Sequence, residues 1–253
     1  MLNQIQKILK ENNILSHRNT GITIATVENM QKGFLLAENI FTRLVDTKTV
    51  LYLSGGSTPK ELYKRFATAE QITPGAVGMV DERYGEKFHE KSNETMIRET
   101  GFFRYLQMRD IPFYPILQGK KREATAQVYD QQVRSLHATF QKSIALLGIG
   151  LDGHTASLAP NRTDFQNPMF SDAQKHLFVS EFADLNSFYG ERVGMTFLGL
   201  SMLDFFVVLA FGSEKQNVIT LLFENGPEEQ LPARFFKRPD IAPKTILITD
   251  QKI

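Results

Sequence analysis

The strongest constraint on the fold is the run Ile144-Ala145-Leu146-Leu147, four successive apolar residues followed by Gly148, Gly150 and Gly153. The run is too short for a buried helix, and its unbroken apolarity suits a central parallel strand covered on both faces. The glycines let the backbone turn sharply and approach a ligand closely. Asp152 and His154 sit among and just after them. A carboxylate two residues from an imidazole, at the carboxyl end of a buried strand, lies where open α/β sheets carry their chemistry. Histidine is also the side chain best suited to moving a proton near neutral pH.

The rest of the chain repeats this logic. Apolar runs at Ile22–Thr26, Val50–Leu53, Val77–Val80, Phe205–Phe211 and Thr245–Ile248 read as strands, as do Leu177–Ser180 and Arg192–Phe197. Between them Met30, Phe34, Ala37, Phe41 and Leu44 recur at helical spacing, as do Ala126, Tyr129, Val133, Leu136 and Phe140. Further helices are expected at Lys60–Ala69, near 94–107 and at Ser213–Phe223, with a brief strand at Pro112–Pro115 and a short docking helix before Ile22. Asn161–Gln174 reads as irregular surface loop. Alternating strands and helices predict a doubly wound, mostly parallel α/β sheet with helices on both faces, Rossmann-like, as a single domain over residues 1–253.

A second Gly-rich turn follows Val50–Leu53: Ser54-Gly55-Gly56-Ser57-Thr58-Pro59. Thr58 is placed as a helix N-cap, Pro59 as the first helical residue, and Glu61 completes a capping box. Glycines, two hydroxyls and a helix N-terminus can cradle a phosphate. From the turn alone, that cradle and an unliganded capped turn both remain open. It is not a P-loop, because the Gly-Lys-Ser/Thr ending is absent.

Composition narrows the function classes. The 253 residues carry 29 basic and 28 acidic side chains, so no broad field favours nucleic acid or an anionic membrane. Any anion must be held by a local site. With no cysteine there is no disulfide, thiol nucleophile or thiolate metal site. No signal peptide and no stretch approaching ~20 apolar residues is found, so a soluble, cytoplasmic protein is expected. No second histidine stands at ligand spacing to His154, and neither a metal nor a cofactor is expected. His17, His137 and His176 read as surface residues. No G-x-S-x-G elbow supports a serine triad. Gly148, Gly150 and Gly153 do match G-x-G-x-x-G, but Pro160 cuts short the helix that a dinucleotide site needs, and Glu181 lies too far along for the ribose. Taken alone, Asp152 and His154 are equally open to a structural reading, a turn-forming Asx residue and a backbone-bonded histidine.

Together these stretches resemble the 6-phosphogluconolactonase family, within the glucosamine-6-phosphate isomerase/deaminase-like superfamily. The matching motifs are Ser54–Pro59, Asp81-Glu82-Arg83 with His89, Ser92 and Asn93, Leu147–Leu158, Glu191-Arg192-Val193 and Gly212-Ser213-Glu214-Lys215, in the family's order from about residue 22 onward. The resemblance implies hydrolysis of 6-phosphoglucono-1,5-lactone, a small-molecule sugar-phosphate lactone, by a monomer or small homo-oligomer. It implies His154 as general base, oriented by Asp152, and a phosphate held by Gly55, Gly56, Ser57, Thr58, Arg192 and Lys215. Arg83 is implied at the phosphate or at the developing oxyanion; its alternative is an ion pair with Asp81 or Glu82. For Arg192 and Lys215 the alternative is solvated surface charge. Two other functions stay open, an isomerase/deaminase-like enzyme and a non-catalytic sugar-phosphate binder. The isomerase branch usually carries Asn-Glu-Pro where this chain has Leu158-Ala159-Pro160, so its ring-opening carboxylate is missing. Ala159, where a bulky aromatic is common, Gly194, where Thr is common, and Arg234, where Ser is common, depart from the lactonase pattern and bear on pocket shape.

Overall fold

The apolar runs assemble as parallel neighbours. The computed structural model describes residues 1–161, 177–182 and 190–253. Its main strands are β1 (Ser16–Asn19), β2 (Ile22–Thr26), β3 (Thr49–Leu53), β4 (Ala76–Met79), β6 (Lys142–Gly148), β9 (Phe205–Ala210) and β10 (Thr245–Thr249). They form one seven-stranded sheet in the order β1-β2-β10-β9-β6-β3-β4, parallel throughout except for the edge strand β1. Every residue of β3, β9 and β10 is buried, as are the five central residues of β6. That burial is what a sheet covered by helices on both faces requires.

The covering helices include α1 (Leu2–Glu11), α2 (Met30–Leu44), α3 (Ser57–Ala69), α6 (Arg122–Thr139) and α8 (Gln216–Phe223). In α2 the predicted stripe is buried at Phe34, Ala37, Phe41 and Leu44, and Asn29 caps its start by accepting the Lys32 N–H at 3.0 Å. The amino-terminal helix α1 docks through Ile5, Ile8 and Leu9.

From β3 the chain moves outward to β4, whereas from β6 it moves the opposite way, to β9 and β10. The adjoining pair β3 and β6 is therefore where the winding reverses. Such a point opens a crevice outside the carboxyl ends of the two strands, and both Gly-rich turns leave from there.

A second sheet walls this crevice. It is antiparallel, in the order β5-β8-β7, built from β5 (Asp81–Arg83), β7 (Val179–Phe182) and β8 (Arg192–Met195). One residue joins the two sheets: the Val80 N–H donates to Leu53 O of β3 at 2.8 Å, and Val80 O accepts the Met195 N–H of β8 at 2.9 Å.

Several expectations change. Asp81–Arg83 is a strand of the second sheet, not the tail of β4, because Val80 turns the chain from one ladder to the other. The helix expected near 94–107 is two helices, α4 (Asn93–Glu99) and α5 (Phe102–Met108), separated at Gly101, which takes φ +84°. Pro112–Pro115 makes a single bridge, Val77 to Phe113, in place of a strand. The strand from Arg192 ends at Met195, where Thr196 caps α7 (Phe197–Ser201) by accepting the Gly199 N–H. Residues 162–174 of the expected surface loop, and His176, lie outside the described residues.

Candidate active site

The turn after β6 is built around His154. Gly150 N–H donates to His154 O at 2.8 Å and Gly153 N–H to Gly150 O at 3.1 Å, which closes the loop on itself. Inside it the His154 ring places Nδ1 2.6 Å from Asp152 Oδ1, and the same oxygen accepts the His154 backbone N–H at 3.1 Å. A carboxylate is only an acceptor, so Nδ1 carries the proton and Nε2 becomes the basic nitrogen. A Cβ on Gly150 would lie 1.9 Å from His154 Nδ1 and 2.6 Å from Asp152 Oδ1, so a larger residue there displaces the pair.

The turn after β3 departs from its expected capping. Helix α3 begins at Ser57, two residues early, and Gly56 is its N-cap, at φ +110° and ψ 163°. Only glycine adopts that backbone without strain. No side chain caps the helix, and Glu61 pairs with Lys64 instead of closing a capping box. Consequently the first-turn N–H groups of Gly56, Ser57 and Thr58 have no intrahelical acceptor, and Pro59 has no N–H to satisfy. The Ser57 and Thr58 hydroxyls, released from capping, stand at the same end. Tyr63 of α3 pins the turn by donating to Ser54 O at 2.7 Å.

Three cations complete the set. Arg83 of β5 lies directly opposite Arg192 of β8 in the small sheet. Its Nη1 donates to Asn93 Oδ1 at 2.6 Å and to Lys91 O at 3.1 Å, and among the described residues it makes no ion pair with Asp81 or Glu82. The neighbouring acids are otherwise engaged. Glu82 is fully buried and accepts from Ser92 Oγ and from the backbone N–H groups of Arg83, Asn93 and Glu94 at 2.7–2.9 Å. Burial pushes its carboxyl above the usual range, against the pull of those four bonds. Asp81 accepts from Ser157 Oγ at 3.0 Å. Lys215, in the 3-10 turn Ser213–Lys215 that follows β9, donates to Ile149 O at 2.7 Å. Burial lowers its pKa from the ordinary lysine value, while the Glu214 and Asp152 carboxylates oppose that shift.

All these groups meet in a cavity of about 680 Å³, large enough for a phosphorylated sugar. Gly55, Gly56, Ser57, Thr58, Arg83, Asp152, His154, Arg192 and Lys215 all line it, as does Ala159. Gly194 and Arg234 do not. Gly194 backs onto Asp81 and Ser157, where a Cβ would approach within 3.0–3.2 Å, and Arg234 ties Leu221 O at the end of α8 to Pro227 O. Of the three departures noted above, only Ala159 shapes the wall. Asn93 and Asp81 also line the cavity. Sequence reasoning gave neither a role, although the Asp81-Glu82-Arg83 and Ser92-Asn93 pairings contained the signal. Among the described residues no cluster of acidic and histidine side chains could hold a metal ion.

The family model for glucosamine-6-phosphate isomerases/6-phosphogluconolactonase matches residues 35–246. The chain belongs to that family. Within the isomerase/lactonase family it is similar to the 6-phosphogluconolactonase of Synechocystis, 32% identical over 204 residues that cover 73% of this chain and 76% of the relative. The 6-phosphogluconolactonase of Rhizobium meliloti is 27% identical over 198 residues, covering 78% and 82%. Among solved structures, the 6-phosphogluconolactonase of Thermotoga maritima matches with TM-score 0.69 at 26% identity, over 91% of this chain and 99% of that one. The Plasmodium vivax 6-phosphogluconolactonase matches with TM-score 0.77 over 99% and 96%; at 18% identity this is a likeness of fold.

Proposed function

We propose that this chain hydrolyses 6-phosphoglucono-1,5-lactone to 6-phosphogluconate. The observation that carries the reading is that the Asp152–His154 pair and an uncapped, hydroxyl-bearing helix start open into one cavity. The substrate has a phosphate at one end and a ring ester at the other. Gly55, Gly56, Ser57 and Thr58 receive the phosphate oxygens on backbone N–H and hydroxyl donors, with Arg83, Arg192 and Lys215 supplying charge. Arg83 belongs at the phosphate, since its partner Asn93 packs against Gly55.

At the other end His154 Nε2 takes a proton from water, and the resulting hydroxide oxygen bonds to C1 of the lactone. The tetrahedral intermediate collapses by breaking the bond from C1 to the ring oxygen, which receives the proton back from the imidazolium. Asp152 holds the ring in the required tautomer and stabilises its cationic form. The carboxylic acid formed then ionises, so each turnover releases one proton. Ala159 leaves the wall without the carboxylate that aldose–ketose isomerisation would use, which favours hydrolysis over that reaction.

Freshly prepared 6-phosphogluconolactone should therefore release protons faster with the protein than without it. A rate equal to the spontaneous one would sink the reading. Removing one anchor, by Thr58→Ala or Lys215→Ala, should raise KM by about 10- to 100-fold, the worth of one charge-assisted hydrogen bond. Activity of the wild type on a lactone lacking the phosphate, at undiminished kcat/KM, would overturn the anchoring.

A further inference from the structure

The geometry points to Asn93 as the positioning residue that holds the Arg83 guanidinium against the phosphate cradle, so that Asn93 and Arg83 bind anions as one unit. The inference rests on the reading of the cavity as a site for a phosphate ester. Asn93 is almost fully buried at the first position of α4. Its amide is committed at both ends. Nδ2 donates to Asp81 O at 3.0 Å and Oδ1 accepts Arg83 Nη1 at 2.6 Å. A carbonyl can only accept and a guanidinium can only donate, so one amide orientation alone satisfies both partners.

The third contact is steric. A Cβ on Gly55 would fall 2.0 Å from Asn93 Oδ1, so the cradle backbone passes directly against the atom that holds Arg83. Asn93 thus touches the strand β5, the cradle and the cation at once. Its own backbone is fixed independently, because the Asn93 N–H donates to buried Glu82 at 2.7 Å and Ser92 caps α4. Arginine is long and loses much rotamer freedom when held in place, so its contribution to anion binding depends on a fixed partner. The neutral amide supplies that partner without neutralising the charge. A carboxylate at the same place would form an ion pair and compete with the phosphate.

A double-mutant cycle tests this, read as the Kd of inorganic phosphate acting as a competitive ligand and as kcat/KM for the lactone. Arg83→Ala and Asn93→Ala should each weaken phosphate by about 10-fold or more. The double variant should be no weaker than the worse single one, because each change removes the same unit. Independent, multiplying losses would overturn the proposal, as would an Asn93→Ala protein that binds phosphate like the wild type. Asn93→Ser covers the case in which alanine fails to fold: its hydroxyl is too short to reach Arg83, so the same loss and the same non-additivity are expected. Phosphate binding that obeys the cycle in a protein without lactone hydrolysis would defeat the reaction assigned above and leave this inference standing.

Discussion

Replacing His154 by alanine is expected to lower kcat on 6-phosphogluconolactone by about 10²- to 10⁴-fold, the span that a positioned general base supplies. Inorganic phosphate should still compete with the substrate at near wild-type Kd. The two ends of the cavity are built on different elements, the cradle on β3 and α3 and the imidazole on the loop after β6. Loss of the base therefore leaves the anchor intact, and the defect falls on kcat instead of KM. Steady-state kinetics with phosphate inhibition read both quantities. A variant that keeps near-normal kcat would remove His154 from the role of base.

Gly150→Ala is expected to do nearly as much damage without touching a reacting group. The Gly150 backbone is outside the left-handed region, so alanine is compatible with its conformation. The added methyl instead falls 1.9 Å from His154 Nδ1 and 2.1 Å from Cε1. Neither atom can remain there, and the imidazole must swing away from Asp152. The expected outcome is a drop in kcat of at least about 10²-fold, approaching that of the alanine variant at His154. The melting temperature should hold, because the clash is confined to a partly exposed side chain. Activity within a few-fold of wild type would show that the contact between Asp152 and His154 is dispensable.

Much of this architecture was legible in the chain. The apolar runs at Val50–Leu53 and Ile144–Leu147 became adjacent central strands, and the glycines that follow each run mark the turns at the reversal of winding. The two Gly-rich turns and Lys215 reach one cavity because they follow the carboxyl ends of strands in the main sheet, while Arg83 and Arg192 enter it from the small sheet. What was not legible depends on contacts remote in sequence. A three-residue strand such as Asp81–Arg83 has no periodicity to read, and its partner Arg192–Met195 comes far later in the chain. The polar edge strand Ser16–Asn19 is mostly exposed and shows no apolar alternation. The Thr58–Glu61 spacing promised a capping box, but Gly56 caps the helix two residues earlier and leaves the hydroxyls to other partners. Asn93 was visible only as part of a motif. Its function needs the positions of Gly55, Asp81 and Arg83 together.

The register of the small sheet has a consequence for how a ligand feels the fold. Arg83 and Arg192 are direct cross-strand partners, and directly opposed residues of an antiparallel pair project from the same face. A phosphate ester held by both side chains, as proposed above, would span β5 and β8. Bound that way, the ligand would tie the two strands together, a staple across the small sheet as well as a handle on the sugar.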